Sequence, residues 1–111
     1  MKNPQEVFNS HMKAVETLNP LIVLEDYSDD AVFITPDHTY EGREEILSFY
    51  KNLLPNFYGF EFKTIKQETH NDLVFFVWHG QNKLINVEFA TDTYIIKNGR
   101  ITQHTFAGII N

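Results

Sequence analysis

The sequence has no cysteine, which excludes disulfide bonds, thiolate metal sites and a cysteine nucleophile. Basic residues are few: the chain has nine lysines and arginines and fifteen aspartates and glutamates, which gives a net charge of −6. Phosphate binding needs clustered lysine and arginine, so no nucleic-acid or anionic-membrane partner is expected. No hydrophobic run approaches membrane-spanning length and no apolar signal segment stands at the N-terminus. The default expectation is a cytoplasmic protein.

Metal and cofactor motifs are also missing. The five histidines form neither a His-x-x-x-His pair nor a His-Glu-x-x-His helix. There is no glycine-rich phosphate loop and no Gly-x-Ser-x-Gly nucleophile motif. His38, His70 and His79 fall in or beside predicted turns and are expected to be exposed. The sequence therefore predicts a protein without metal or cofactor.

Aromatic residues are abundant: ten phenylalanines, five tyrosines and one tryptophan among 111 residues. This length corresponds to a single domain, residues 1–111, and the hydrophobic fraction of 42% is enough for a real core. Large rings fill a core, and they also line pockets that hold flat apolar ligands.

Helix signals dominate the first half of the chain. Asn3 is a good helix cap, with Pro4 in the first turn and Glu6 three residues past the cap. Asn19-Pro20 repeats the signal and predicts a short helix from Leu21 to Tyr27.

A strand, a loop and a third helix follow. The β-favouring run Ala31–Thr35 predicts a strand, and the polar stretch Pro36–Glu41 predicts a loop. The third helix follows Gly42 and is closed by Pro55.

The second half of the chain predicts strands, at roughly 58–69, 73–80, 84–96 and 101–110. Asn98-Gly99 is the strongest hairpin signal in the chain. Helices first and an antiparallel meander second indicate an α+β fold, with one curved sheet packed on three helices.

The run Leu73–Trp78 is apolar on both of its alternating faces, which a strand with one solvated face does not show. Helices can cover one face only. A second copy of the same chain is the simplest cover for the other, so a homodimer is expected.

Three stretches together resemble the nuclear transport factor 2-like superfamily, and within it the SnoaL-like branch. They are LEDYSDDAVF (24–33), YEGREEILSFY (40–50) and FATDTYIIKNGRITQH (89–104). The resemblance implies a cone-shaped α+β barrel that encloses one apolar pocket. It does not by itself fix the function, because one scaffold serves many functions.

Within this superfamily, the ketosteroid isomerases use an aspartate base and a tyrosine donor. Aligning Asp29-Asp30-Ala31 with the similar stretch of those enzymes places Thr35 at the base and His11 at the donor. A threonine hydroxyl cannot remove a carbon-bound proton near neutral pH without an activating base. The mechanism of ketosteroid isomerase is therefore not expected here.

Asp92 is the first candidate catalytic residue, since an aspartate is unusual in the middle of a strand. The resemblance places a cavity-facing acid near this position in SnoaL-like enzymes. Strict alternation, however, puts Ile85, Val87, Phe89 and Ile95 on one face and leaves Asp92 with Asn86 and Glu88 on the other. Asp92 therefore faces the cavity only if a bulge shifts the alternation, and otherwise points to solvent or to the dimer interface.

Two histidines complete the candidate set. His104 lies where the resemblance places a histidine after the Gly-Arg-Ile turn, and an imidazole is a natural proton shuttle. The alternative is a strand histidine bonded to a neighbour. His11 lies on the apolar stripe of the first helix, where a core role and a donor role are both open. The rings expected to line the pocket are Phe33, Phe49, Tyr50, Trp78, Tyr94 and Phe106.

Two functions follow as hypotheses. One is a cofactor-independent enzyme of the SnoaL-like type, an isomerase, cyclase or dehydratase that moves protons on an apolar carbonyl substrate. The other is a non-catalytic module that binds a small apolar ligand. A protein-interaction module like the superfamily's namesake is a third possibility, but no partner-binding patch is identifiable in the sequence.

Overall fold

The computed structural model describes every residue from Met1 to Asn111. The helices are α1 (Pro4–Glu16), α2 (Pro20–Leu24) and α3 (Gly42–Leu53), and a 3₁₀ helix (Leu54–Phe57) continues α3. The strands are β1 (Tyr27–Ile34), β2 (Thr39–Glu41), β3 (Glu61–His70), β4 (Leu73–Gln81), β5 (Asn86–Lys97) and β6 (Arg100–Ile110). None of the helices has the length and apolar character that crossing a membrane requires.

The six strands form one curved sheet in the order β2-β1-β6-β5-β4-β3. All neighbours are antiparallel except β1 and β6, which are parallel. The sheet does not close, so β2 and β3 are free edges. The helices pack on its concave face and the core lies between the two layers. The predicted α+β cone fold is confirmed.

The first helix begins where the sequence predicts. The side chain of Asn3 accepts a hydrogen bond from the backbone N–H of Glu6, and the Glu6 carboxylate accepts from the backbone N–H of Asn3. This reciprocal pair satisfies two amides that the helix itself leaves free. The buried face of α1 then presents Val7, Phe8 and His11 to the sheet.

The prediction for the second helix is wrong at its C-terminal end. The helix ends at Leu24, and Tyr27 is the first residue of β1, paired with Ile101. The carbonyl of Asp26 accepts a hydrogen bond from the Ile101 amide at 2.8 Å. Pairing with a strand distant in sequence therefore overrides the local helical pattern, and it makes β1 longer than the predicted Ala31–Thr35.

The predicted loop Pro36–Glu41 contains a short strand. Thr39–Glu41 pairs with Val32–Ile34 as the edge strand β2. The residues of β2 are half-buried or exposed. A solvated edge strand tolerates polar residues, so the polar composition of this stretch is compatible with a strand as well as with a loop.

The last hairpin has the predicted turn. Asn98 and Gly99 both have positive φ, 53° and 74°. These angles are characteristic of the two-residue turn whose twist matches that of paired strands. The turn connects β5 to β6, the two strands that carry Asp92 and His104.

Candidate active site

A cavity of about 460 Å³ lies between the concave face of the sheet and helices α1 and α3. Its wall is mostly apolar, and its charged side chains are the carboxylates of Asp37 and Asp92, with no lysine or arginine. A cavity of this size and character is typical of small-molecule sites. The structure places on its wall all nine candidate residues: Asp92, His104, His11, Phe33, Phe49, Tyr50, Trp78, Tyr94 and Phe106.

Asp92 faces the cavity because β5 is bulged. Val87 pairs with Ile110 but Phe89 pairs with Ile109, so β5 carries one extra residue at Glu88. The bulge reverses the alternation, which leaves Phe89 47% exposed and Asp92 buried. The strict alternation that placed Asp92 with Asn86 and Glu88 is therefore wrong beyond the bulge.

A second bulge sets the position of His104. Ile96 pairs with Ile101 but Ile95 pairs with Gln103, so Thr102 is the extra residue of β6. The shift brings His104 opposite Tyr94. Without it, the register would place His104 opposite Thr93, on the outer face of the sheet.

The imidazole of His104 is held between two rings. Its centroid lies 4.1 Å from that of Phe33 and 4.1 Å from that of Tyr94, and both rings are stacked on it. Only 2% of the residue is exposed. The stacking fixes the plane of the ring, in which both nitrogens lie.

Five side chains form one continuous line of hydrogen bonds. Trp78 Nε1 donates to Asp92 Oδ2 at 2.7 Å, and Asp92 Oδ1 lies 2.7 Å from His104 Nε2. On the other side of the imidazole, Nδ1 lies 2.8 Å from the hydroxyl of Tyr27, which lies 2.7 Å from the hydroxyl of Tyr50. We call Asp92, His104, Tyr27 and Tyr50 the relay.

The hydrogen-bond directions in the relay depend on which nitrogens of His104 carry a proton. When Nδ1 has no proton, the hydroxyl of Tyr27 donates to it and Tyr50 donates to Tyr27. When both ring nitrogens are protonated, Nδ1 donates to Tyr27 and Tyr27 donates to Tyr50. The proton of Tyr50 is then free for a ligand in the cavity. One proton on the imidazole therefore changes Tyr50 from an acceptor to a donor toward a ligand.

Tyr27, Tyr50 and Tyr94 remain protonated. Burial raises the pKa of Tyr27, Tyr50 and Tyr94 well above the ordinary value, and the charge of Asp92 adds to this effect. A hydroxyl with a raised pKa is a hydrogen-bond donor and not a phenolate base. Within the relay, the carboxylate and the imidazole are therefore the basic groups.

Tyr27 is the site residue that the sequence prediction missed. It was placed at the end of a helix, whereas it is a fully buried residue of β1 that joins His104 to Tyr50. The available signal was its position within the first family-like stretch, directly before Ser28-Asp29-Asp30. A buried tyrosine needs a hydrogen-bond partner for its hydroxyl, but the partner lies 77 residues away in the chain.

His11 lies apart from the hydrogen-bonded relay. Burial, followed by the charge of His104, lowers its pKa to about 3. Its Nδ1 is buried and has no hydrogen-bond partner. Edge-on rings surround it, with centroids at 5.2 Å for Tyr94 and 5.6 Å for Tyr27.

The other residues weighed in the sequence lie outside the relay. Thr35 lines the cavity, but its hydroxyl donates to the carbonyl of His38 and accepts from the His38 amide, so it serves the β1–β2 turn. His38, His70 and His79 are exposed, as the sequence predicts. The structure brings together no group of three or more side chains able to hold a metal ion.

The model of the SnoaL-like domain matches residues 8–104. The chain belongs to the SnoaL-like family. The match includes most of α1, the four residues of the relay, all of β5 and the first half of β6 as far as His104. No curated protein sequence matches this SnoaL-like domain.

Several solved structures share the fold of this SnoaL-like domain. A nuclear transport factor 2-like protein of unknown function from Cytophaga hutchinsonii superposes with a TM-score of 0.81 at 15% identity, over 98% of this chain and 92% of that one. A proposed isomerase of the SnoaL-like family from Agrobacterium tumefaciens has a TM-score of 0.74 at 16% identity, over 98% and 99% of the two chains. A proposed polyketide cyclase from Sinorhizobium meliloti has a TM-score of 0.73 at 17% identity, over 90% and 92%. At these identities the likeness establishes the fold alone.

Proposed function

We propose that this SnoaL-like domain is a cofactor-independent enzyme that moves protons on an apolar carbonyl substrate, as an isomerase, cyclase or dehydratase does. The observation that carries the proposal is the 2.7 Å contact between Asp92 and His104 on the wall of an apolar cavity. Paired titratable groups inside a water-poor cavity are typical of acid–base catalysis. Two structural neighbours described as a proposed isomerase and a proposed polyketide cyclase agree with this class of chemistry.

The proposed role of Asp92 is that of general base. Its carboxylate removes a proton from the carbon next to the substrate carbonyl, and the electron pair moves to the carbonyl oxygen. Hydrogen bonds from Trp78 Nε1 and His104 Nε2 hold the carboxylate in place from two sides. The base works with its neighbours fixed in advance, which reduces the reorganisation that the reaction requires.

The proposed role of Tyr50 is that of donor to the developing oxyanion. When both nitrogens of His104 carry protons, Tyr50 gives its proton to the oxygen, Tyr27 reprotonates Tyr50, and His104 Nδ1 reprotonates Tyr27. Asp92 meanwhile holds the proton taken from carbon. The enzyme thus passes from a carboxylate with an imidazolium to a carboxylic acid with an imidazole, and its total charge is unchanged.

The experiment is the exchange of carbon-bound hydrogen. Tetralone, a two-ring ketone, is incubated with the protein in D₂O, and the loss of its α-proton signal is followed by NMR. We expect Asp92→Asn to slow the catalysed exchange by on the order of 10²-fold, the usual contribution of a general base. Asp37→Asn is the matched control, because Asp37 is the other carboxylate on the wall and lies outside the relay. Equal rates for the wild type and Asp92→Asn would favour the non-catalytic binding module.

We also propose that two copies of the chain pair through the outer face of the sheet. Support comes from the outward-facing residues at the centre of β4, β5 and β6, none of which is charged. They are Leu73, Phe75, Val77, Phe89, Thr91, Thr93, Ile95, Gln103, Thr105, Ala107 and Ile109. A contiguous uncharged face of this kind is typical of a protein–protein interface.

A further inference from the structure

Asp26 is a buried carboxyl that lies outside the cavity and outside the relay. Only 8% of the residue is exposed, and it lines a separate polar groove beside α1. Burial disfavours the charge of a carboxylate, so such a group is stable only with hydrogen-bond or charged partners. The other charged residues of the groove are Lys2, Glu6, Lys13, Glu25, Arg43 and Arg100.

The contacts of Asp26 join three elements directly beside the relay. Its Oδ1 accepts a hydrogen bond from the Ser10 hydroxyl of α1 at 2.9 Å, and that hydroxyl accepts one from Lys2 Nζ at 3.3 Å. Its backbone carbonyl accepts a hydrogen bond from the Ile101 amide of β6 at 2.8 Å. The next residue in the chain is Tyr27, the first residue of β1 and a member of the relay.

Tyr27 needs this support because β1 is irregular directly after it. Tyr27 pairs with Ile101 of β6. The next pair of the parallel ladder joins Val32 to Gln103, so β1 advances five residues where β6 advances two. The start of β1 is thus separated from the regular ladder, which alone does not fix its position. The relay nevertheless requires the Tyr27 hydroxyl to lie within hydrogen-bond distance of His104 Nδ1, and it lies at 2.8 Å.

The first helix contacts the start of β1 at two neighbouring places. Outside the cavity, Ser10 bonds Asp26. On the cavity side, the next residue of each segment contributes to an edge-on ring contact, His11 with Tyr27, whose centroids are 5.6 Å apart. A ring contact permits sliding, whereas a hydrogen bond to a charged group is short and directional. The bond to Asp26 is therefore the more exact of the two restraints.

We propose that Asp26 is a positioning residue of the relay: its carboxylate, bound to Ser10, holds the start of β1 where the Tyr27 hydroxyl meets His104. This inference rests on the proposed function, to which it adds a residue that does not touch the substrate. A hydrogen bond to an ionised carboxylate is about twice as strong as one between neutral groups. The positioning therefore depends on the charge of Asp26.

The charge of Asp26 depends on pH. Burial raises the pKa of its carboxyl, and the charge of Glu25 acts in the same direction. The hydrogen bond from Ser10 and the charges of Lys2 and Arg100 act against this rise. As the pH falls through the raised pKa, the carboxyl gains a proton, its bond to the hydroxyl weakens, and the start of β1 is held less firmly.

The first test is the hydrogen bond at His104 Nδ1, observed at pH 7 as the ¹⁵N chemical shift of that nitrogen. Tyr27→Phe gives the shift in the absence of this bond. Ser10→Ala and Asp26→Asn should both move the resonance from its wild-type position toward that of Tyr27→Phe. Glu25→Gln, which removes an exposed carboxylate of the same groove, should leave the resonance in place.

The second test is the pH dependence of tetralone proton exchange. At pH 7, Asp26→Asn should slow exchange by at least about tenfold, since a displacement of about 1 Å at a reacting group costs about 10²-fold. The ratio of wild-type to variant rates should fall as the pH decreases from 7 to 4, because the wild-type carboxyl then becomes neutral like the amide. The ionisation of Asp92 and His104 is common to both proteins and cancels in the ratio.

If Asp26→Asn does not fold, Ser10→Ala takes its place in both tests, and Ser10→Thr, which keeps the hydroxyl, should restore the wild-type Nδ1 shift. Three results would overturn the inference: an unchanged Nδ1 shift in Ser10→Ala and Asp26→Asn, an equal effect of Glu25→Gln, or a rate ratio independent of pH. The NMR test does not depend on turnover. A protein that exchanges no tetralone protons and still shows the expected shifts would refute the proposed function while supporting the role of Asp26.

Discussion

Asp92 and His104 contact each other diagonally across two neighbouring strands. Asp92 is paired in register with Phe106, and His104 with Tyr94, yet Oδ1 and Nε2 lie 2.7 Å apart. The contact depends on both bulges, because each one turns one of the two residues toward the concave face. The polar site is therefore a product of sheet irregularity and not of the regular pleat.

Replacing Asp92 by Asn should destabilise the protein by about 1–3 kcal/mol, because buried donors on Trp78 and His104 lose a charged acceptor. Urea unfolding measures the change. Asp30→Asn, at an exposed position of β1, is the control and should change the free energy of unfolding by no more than about 0.5 kcal/mol. An effect of Asp92→Asn as small as that of the control would contradict the buried placement of the carboxylate.

Stability should fall in acid because of His11. Its pKa is about 3 in the folded protein and 6.5 in the reference state. Between these values the unfolded chain binds a proton that the native state does not, so stability is lost as the pH falls through this window. The loss approaches about 1.4 kcal/mol per pH unit within the window.

The variant His11→Phe has no such proton, so the difference in stability between wild type and variant isolates the effect of His11. Asp26, whose pKa is raised by burial, contributes with the opposite sign and cancels in this difference. Denaturant unfolding of both proteins at a series of pH values gives the two curves. Parallel curves from pH 7 to pH 4 would show that His11 is not buried as a neutral group.

The outer face of the sheet should make the protein a dimer. Sedimentation at micromolar concentration should give about twice the chain mass of 13.0 kDa. A charge at the centre of the face, Thr93→Glu, should shift the protein to monomers, whereas Asn9→Glu on the exposed side of α1 should not. A wild type that sediments as a monomer rules out the proposed interface.

Much of the fold could be predicted from local sequence. The cap at Asn3, the turn at Asn98-Gly99 and the long strands follow from short-range chemistry, and the structure agrees with them. The end of the second helix was predicted wrongly, because the pairing of Tyr27 with Ile101 is not encoded nearby.

The site was less accessible to prediction than the fold. The residue types of Asp92 and His104 marked them as candidates, but their direction depends on extra residues at Glu88 and Thr102, and neither residue is a recognisable bulge signal. Tyr27 was missed because its role exists only once β1 and β6 are paired. The face to which a side chain points after a bulge depends on how the strand pairs with its neighbours, which local sequence does not reveal.

The central claim is that the relay works as one proton-transfer unit. The most direct test is to measure the rate of tetralone proton exchange in three variants: Tyr27→Phe, Tyr50→Phe and the double variant. Each single change interrupts the relay, so each should slow exchange by on the order of 10²-fold. The double variant should be no slower than the slower single variant, because an interrupted relay cannot be interrupted again. An unchanged rate in Tyr27→Phe, or losses that multiply in the double variant, would contradict the account.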